Sequence, residues 1–275
     1  MLSTAIQYYK ANGYYIARNT LPLDALQKTL YEMDILLVQQ LNRVGFNEQP
    51  GDSQESVHQH MRELYNVNQF VYIQALKLWA KLFSLKKLVM HENVALIANQ
   101  LGITLPIFQT SPVLHAMAND LKITGGYHGV GVHQDWPALQ SGLDTLTVWF
   151  PFMDVDVNNF PLELIPGSHK QGLYPGKIAE HIYEIDPNSY EEKDFVPMEV
   201  KLGDVLFMSN FTLHRSGLRG DQRVRIACSS RYENASEKTF IERIYPSAQK
   251  RVIQRELLEP NFPQKIHLEE IYSNT

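Results

Sequence analysis

Apolar and polar residues follow two different rhythms along this 275-residue chain, and the rhythm changes near residue 105. Before that point apolar positions recur every three to four residues. Residues 3–12 (STAIQYYKAN) predict a short amphipathic helix ended by Gly13, after which GYYIARN reads as a strand. Leu21-Pro22-Leu23-Asp24 opens a second helix over about 24–42. Its Leu26, Leu30, Met33, Leu36, Leu37 and Leu41 form one core-facing stripe. The polar stretch 47–56 (NEQPGDSQES) reads as a loop. Helical periodicity resumes over 57–101, broken at Asn66-Val67-Asn68 and Ser84, which predicts two or three helices with Trp79, Leu82, Phe83, Leu88 and Leu96 in the core.

Beyond residue 105 the pattern becomes short β-branched and aromatic runs separated by Gly, Pro and Asn. LTVWFPFMDV (146–155), DVLFMSN (204–210) and VRIACSSRY (224–232) each read as strands. Residues 186–194 (DPNSYEEKD) read as a surface loop, and the last 25 residues mix charge and proline without a period. No internal repeat, low-complexity tract or flexible linker intervenes. The expected organisation is a single domain over 1–275: a helical third (about 1–104), a β core (about 105–235) and a C-terminal extension (about 236–275). Helices covering two packed sheets is the fold class this order favours.

Composition narrows the function classes. With 44% hydrophobic and 20% charged residues the chain can bury a large core, and a net charge of −5 gives no general attraction to nucleic acid or anionic lipid. No run approaches the roughly 18 apolar residues that span a bilayer. The opening MLSTAIQYYKANGYYIARN lacks the basic flank and apolar stretch of a signal peptide, so a cytoplasmic location is expected. The single cysteine, Cys228, excludes an internal disulfide and a Cys-based zinc site. Any metal must therefore be held by carboxylates and some of the ten histidines.

The sharpest local feature is Gly131-Val132-His133-Gln134-Asp135-Trp136. In an extended segment residues i and i+2 share a face, so His133 and Asp135 can present an imidazole and a carboxylate to one point. A second histidine would complete a 2-His-1-carboxylate facial triad of the kind that binds Fe(II) and leaves positions open. His214, just after the strand-like run 203–208, is the best candidate. Arg223 and Arg225 share a face of the following strand. An inward arginine there could hold the distal carboxylate of a dicarboxylate through two parallel hydrogen bonds; parity alone does not choose between them.

The motifs YKANGYYIARNTLP, HQDWP, TVWFPFMDVD, LIPGSHKQG, GDVLFMSNFTLHRSG and RVRIACSSRY, in this order, resemble the Fe(II)/2-oxoglutarate oxygenases of the phytanoyl-CoA dioxygenase type. The resemblance covers most of the chain. It implies a double-stranded β-helix (jelly-roll, cupin-like) core covered by N-terminal helices, with His133, Asp135 and His214 as iron ligands. In that family the cosubstrate arginine lies 11 residues after the distal histidine, which selects Arg225. Ser216 matches a position that bonds the same carboxylate, and Trp149 matches an aromatic wall of that pocket. The implied activity is hydroxylation of an unactivated C–H bond of a small organic metabolite, using Fe(II), 2-oxoglutarate and O2 and releasing succinate and CO2. Halogenating relatives lack the metal carboxylate, whereas Asp135 is present here. One departure concerns the loop before Pro166, where the family's usual Glu-Asn-Gly is Asn158-Asn159-Phe160.

Two other readings remain: a silent jelly-roll binding or regulatory module, and a metal-dependent cupin enzyme that does not use 2-oxoglutarate. Both are disfavoured by the presence of Arg225 and Ser216 beside all three metal ligands. Of the other histidines, His169 in Pro-Gly-Ser-His reads as part of a structural turn, His128 as a loop residue near the pocket, and the pair His58 and His60 as off-face on a helix and not metal-binding.

Overall fold

In a computed structural model that describes residues 4–108, 111–122, 129–179, 182–246, 257 and 259–273, six helices precede most of the strands. Helix α1 (Thr4–Asn12) ends where Gly13 turns at φ 80°, and strand β1 (Tyr14–Ala17) follows. A side chain at Gly13 would also run into His169 Nδ1 at 2.4 Å, so both the turn and the close approach require glycine there. Helix α2 (Leu23–Arg43) buries Leu26, Leu30, Met33, Leu37 and Leu41 of the predicted stripe and adds Val38, while Leu36 is half-buried.

Four helices, not two or three, occupy the next stretch: α3 (Gln54–Val67), α4 (Gln69–Trp79), α5 (Phe83–Val89) and α6 (Glu92–Gln100). Helix α3 starts inside the segment expected to be a loop, because the Ser53 hydroxyl accepts from the Ser56 N–H and caps it. Asn68 both ends α3 in an extended conformation and caps α4 by accepting from the Val71 N–H. Trp79 and Leu88 are core residues, but Phe83 and Leu96 are 74% and 58% exposed. Each lies on a helix too short to fix its apolar face by periodicity alone.

The remaining elements are β2 (Pro106–Phe108), β3 (Val113–Met117), α7 (Trp136–Leu139), β4 (Leu146–Pro151), β5 (Leu162–Leu164), β6 (Gly176–Ile178), β7 (Tyr183–Ile185), β8 (Val196–Met198), β9 (Val205–Ser209), β10 (His214–Ser216), β11 (Arg225–Asn234), α8 (Lys238–Glu242) and α9 (Lys265–Tyr272). Short 3-10 turns at Pro187–Ser189 and Glu192–Asp194 interrupt the expected loop. The patternless C-terminal stretch contains α9, anchored by buried Leu268 and Tyr272.

The strands form a jelly roll. A larger antiparallel sheet runs β1-β9-β4-β11-β2, with β3 also paired to β11. The facing sheet runs β10-β5-β8, and His133 bridges both His214 of β10 and Glu184 of β7, which joins the β6-β7 hairpin to it. Alternation divides the larger sheet into two faces. Leu146, Val148, Phe150, Val205, Phe207, Ile226, Cys228 and Tyr232 point out to the helices and share a core with Leu37, Met61 and Trp79. Trp149, Leu206, Met208 and Ala227 point inward and pack on Leu162, Leu164 and Met198 of the opposite sheet. The helices thus close one face of the large sheet, leaving the interior between the sheets to carry the polar residues described next.

Candidate metal centre

His133 and His214 are cross-strand partners. Each backbone N–H donates to the other's carbonyl, at 3.0 and 3.1 Å, which places the two rings 4.1 Å apart. The two imidazoles are oriented in the same way: His133 Nδ1 lies 2.8 Å from the Gly131 carbonyl and His214 Nδ1 3.0 Å from that of Thr212. A carbonyl only accepts, so both Nδ1 atoms carry the proton and both Nε2 lone pairs are left facing the site. Burial pushes the His133 imidazole down to about 3 and also lowers that of His214, which keeps both neutral.

Asp135 reaches the same point by a different route from the one its spacing suggests. Its backbone is helical (φ −76°, ψ −29°), and it stands at the cap of α7 instead of continuing a strand. The turn brings its carboxylate to 3.7 Å from His133 Nε2 and 3.9 Å from His214 Nε2. One ligand atom from each of the three residues falls within 4.8 Å of the others.

The carboxylate is 6% exposed and is kept anionic by its partners. Burial alone would raise it; Arg231, aided by the Thr147 hydroxyl, holds it well below the usual carboxylate range. The Arg231 guanidinium donates to Oδ1 at 2.8 Å and the Thr147 hydroxyl to Oδ2 at 2.6 Å. Thr147 Oγ1 also lies 2.7 Å from the side-chain oxygen of Asn210, whose buried Nδ2 has no partner. A hydroxyl has one proton, so the satisfied arrangement has the Asn210 amide turned over: Nδ2 donates to Thr147, and Thr147 donates to Asp135. Each carboxylate oxygen retains a lone pair for a cation.

Arg225, at the start of β11, is 2% exposed. Among the described residues it has no acidic partner, its buried Nε makes no hydrogen bond, and its guanidinium carbon sits 5.8 Å from the centre of the Trp149 ring. Burial pushes it down to about 10. Arg223 precedes the strand and pairs at the surface with Asp221 and Asp156, so the structure separates the two arginines that parity left together. Ser216 shares the His214 face of β10, half-buried.

Several residues of this interior were not singled out from the sequence. Ser229 and Arg231 follow Arg225 at even spacing on β11, and Thr147 precedes Trp149 by two on β4, so strand parity was the signal that could have found them. Arg231 also donates to the Ser229 hydroxyl at 3.0 Å, and His115 Nε2 lies 3.2 Å from the same oxygen. Burial, together with Arg225 and Arg231, pushes His115 down to about 3. Nothing in the sequence around His115 marks it.

Other expectations fall elsewhere. His169 lies in a 3-10 turn, with Nε2 3.1 Å from the Lys10 carbonyl and its ring edge-on to Tyr272. His128 lies outside the described residues. In the variant loop, Phe160 takes a left-handed φ of 47° and buries its ring against Gly220, where any Cβ would meet it at about 2 Å; this is how the chain accommodates the departure from Glu-Asn-Gly.

Two imidazoles from paired strands and one carboxylate from a helix cap, gathered inside a jelly roll, have the composition of a 2-His-1-carboxylate facial triad, a donor set that suits non-haem iron. Residues 9–227 match the phytanoyl-CoA dioxygenase (PhyH) family, and the chain belongs to it; the family uses Fe(II), 2-oxoglutarate and O2. Among curated proteins, the phytanoyl-CoA dioxygenase domain-containing protein 1 homolog of Dictyostelium discoideum is 32% identical over 102 residues, 32% of this chain and 34% of that protein. Phytanoyl-CoA dioxygenase 1 of Oryza sativa subsp. japonica is 35% identical over 88 residues, 30% of this chain and 31% of that one. The aligned stretches thus span about a third of these relatives. Among solved structures, the epimerase SnoN in complex with Fe3+, alpha ketoglutarate and nogalamycin RO has the same fold (TM-score 0.58, 18% identity, 86% of this chain and 84% of that one). No helix among the described residues is long and apolar enough to cross a membrane.

Proposed function

We propose that this chain is an Fe(II)- and 2-oxoglutarate-dependent dioxygenase that hydroxylates a small organic metabolite, acting as one catalytic domain over 1–275. The observation that carries the reading is the convergence of His133 Nε2, His214 Nε2 and the Asp135 carboxylate. The donor set fits the metal: two neutral imidazoles with free lone pairs and one anionic carboxylate leave half of an octahedron open. The buried, acid-free guanidinium of Arg225 fits a dicarboxylate cosubstrate, because it supplies a two-pronged donor that no described side chain satisfies.

In this reading His133, Asp135 and His214 would hold an iron ion, which would supply O2 activation coupled to oxidative decarboxylation of 2-oxoglutarate to succinate and CO2. Arg225 clamps the far carboxylate of the cosubstrate, Ser216 bonds the same group, and Trp149 walls the pocket. Arg231 and Thr147 fix the direction of the Asp135 carboxylate, and the Gly131 and Thr212 carbonyls fix the imidazoles. The inward apolar layer of Leu206, Met208 and Leu164 keeps water from the reacting region. The proposal includes a small-molecule substrate and a cytoplasmic location, and the net charge of −5 offers nucleic acid no general attraction. A metabolite library screened for compounds that stimulate succinate release in the presence of Fe(II) and 2-oxoglutarate tests the proposal. A family of stimulating small molecules is expected; neither stimulated nor basal succinate would leave the silent-module reading.

A further inference from the structure

A second cluster of metal-ligating side chains lies between α2 and α3 and shares no residue with the centre above. His60 on α3 is 4% exposed, and its Nδ1 lies 2.8 Å from Oδ1 of Asp34 on α2, which is fully buried. Asp34 Oδ2 accepts from the Gly51 N–H at 2.8 Å and from the Ser56 hydroxyl at 2.9 Å. The carboxylate is therefore fixed as an acceptor, the His60 proton sits on Nδ1, and the Nε2 lone pair faces the other way. There Glu48 Oε2 stands 3.6 Å away, and Glu63 completes a group whose three ligand atoms lie within 4.8 Å of one another. Glu63 Oε1 accepts from Gln59 at 2.8 Å, whereas its buried Oε2 has no partner.

The charges do not balance without a further ion. Three carboxylates, Asp34, Glu48 and Glu63, converge on one imidazole, and among the described residues no lysine or arginine pairs with any of them. Even a protonated His60 would leave an excess of negative charge around buried Asp34 and half-buried Glu48 and Glu63, which is costly unless a cation offsets it. The Asp34–His60 arrangement is also the one metal-bound histidines adopt, with the remote ring N–H given to a carboxylate.

We propose that His60 Nε2, Glu48 and Glu63 bind a divalent transition-metal cation that staples the α2–α3 connection to α3. One imidazole with two carboxylates suits Mn2+ or Zn2+ better than Ca2+ or Mg2+, whose sites are built of oxygen. Glu63 borders a cavity of about 710 Å³ between α3 and residues 222–224, which leaves room for waters to complete the coordination. His58, two residues from His60 on the same helix, takes no part, since such a pair does not share a face.

Equilibrium dialysis of the chelator-stripped full chain against Mn2+ counts the bound ions. The His133→Ala/His214→Ala chain, which lacks two of the proposed iron ligands, is expected to retain one equivalent. Adding Glu48→Gln and Glu63→Gln, which keeps the Asp34–His60 bond, is expected to weaken that binding by about tenfold or more. Excess Mn2+ should raise the melting temperature of the first variant by roughly 5 °C and leave the second unchanged. No retained equivalent in the first variant, or undiminished binding in the second, overturns the proposal. If the His133→Ala/His214→Ala chain does not fold, Glu48→Gln/Glu63→Gln is measured in the otherwise unaltered chain. A fall from two bound ions to one then supports the site, and an unchanged count overturns it.

Discussion

Replacing Arg225 by methionine should push stability and function in opposite directions. The guanidinium is 2% exposed and has no acidic partner among the described residues, so before cosubstrate binds the fold carries a nearly uncompensated buried charge. Burial lowers its pKa from the usual guanidinium value to about 10. At about 1.4 kcal/mol per pKa unit, that corresponds to roughly 3 kcal/mol against the charged form. Methionine fills much of the same volume beside Trp149 without a charge, so Arg225→Met should stabilise the cosubstrate-free protein by about 1–3 kcal/mol. With 2-oxoglutarate the sign reverses. Losing a two-pronged, charge-assisted clamp removes about 3–4 kcal/mol, or roughly 10²–10³-fold in affinity. Thermal melting without cosubstrate and calorimetric titration with 2-oxoglutarate read the two effects separately. Arg225→Lys, which keeps the charge but not the planar fork, should fall between. A variant that melts several degrees lower yet binds 2-oxoglutarate as before would refute the reasoning, because Arg225 would then be a structural residue with a partner of its own.

Three further outcomes follow. His133→Ala or Asp135→Ala should abolish substrate-dependent succinate release, and Asp135→Ala should also lower the melting temperature, since it strips Arg231 of its carboxylate. Arg231→Met, with Arg231→Lys as the milder change, should weaken metal affinity by about 10–100-fold in a Co2+ or Ni2+ titration, whether or not turnover is measured; undiminished affinity would remove its positioning role. Glu233 is fully buried, and burial, opposed by the Ser141 hydroxyl, pushes it from 4.5 up to about 7. Its folded pKa lies above its unfolded one, so the stability it contributes is full below about 4.5 and is lost as pH rises through about 7. Glu233→Gln should flatten that fall, by at most about 3 kcal/mol, in denaturant melts between these pH values; an unchanged slope would count against it.

The parts of the molecule legible in the sequence were those where a single periodicity decides the outcome. The stripe on α2 fixes a face that buries Leu26, Leu30, Met33, Leu37 and Leu41, and the runs 146–155, 204–210 and 224–232 contain β4, β9 and β11. Helices α5 and α6 were not legible, because seven and nine residues contain too few turns for Phe83 or Leu96 to reveal which side meets the core. In the segment 131–136 His133 and Asp135 come together by a route other than the extended strand expected: Asp135 enters through a helical cap, and tertiary pairing to His214 aligns the group. Strand parity alone does not separate Arg225 from Arg223, because that depends on where β11 begins after the turn that pairs Arg223 with Asp221; the family spacing after His214 is what selects Arg225. Arg231, Thr147 and Asn210 converge on Asp135 from three different elements, a long-range arrangement that no local pattern encodes.

The central claim joins one metal cluster to one cosubstrate pocket, and metal-dependent binding of 2-oxoglutarate tests it most directly. Under anaerobic conditions, calorimetric titration of the chelator-stripped chain with 2-oxoglutarate should show one equivalent bound tightly when Fe(II) is present and weak binding when it is absent. Asp135→Ala should lose the metal-dependent part, and Arg225→Met should lose most of the affinity in both cases. Binding of 2-oxoglutarate that is indifferent to Fe(II) and to both substitutions, or no binding under any condition, would contradict the account.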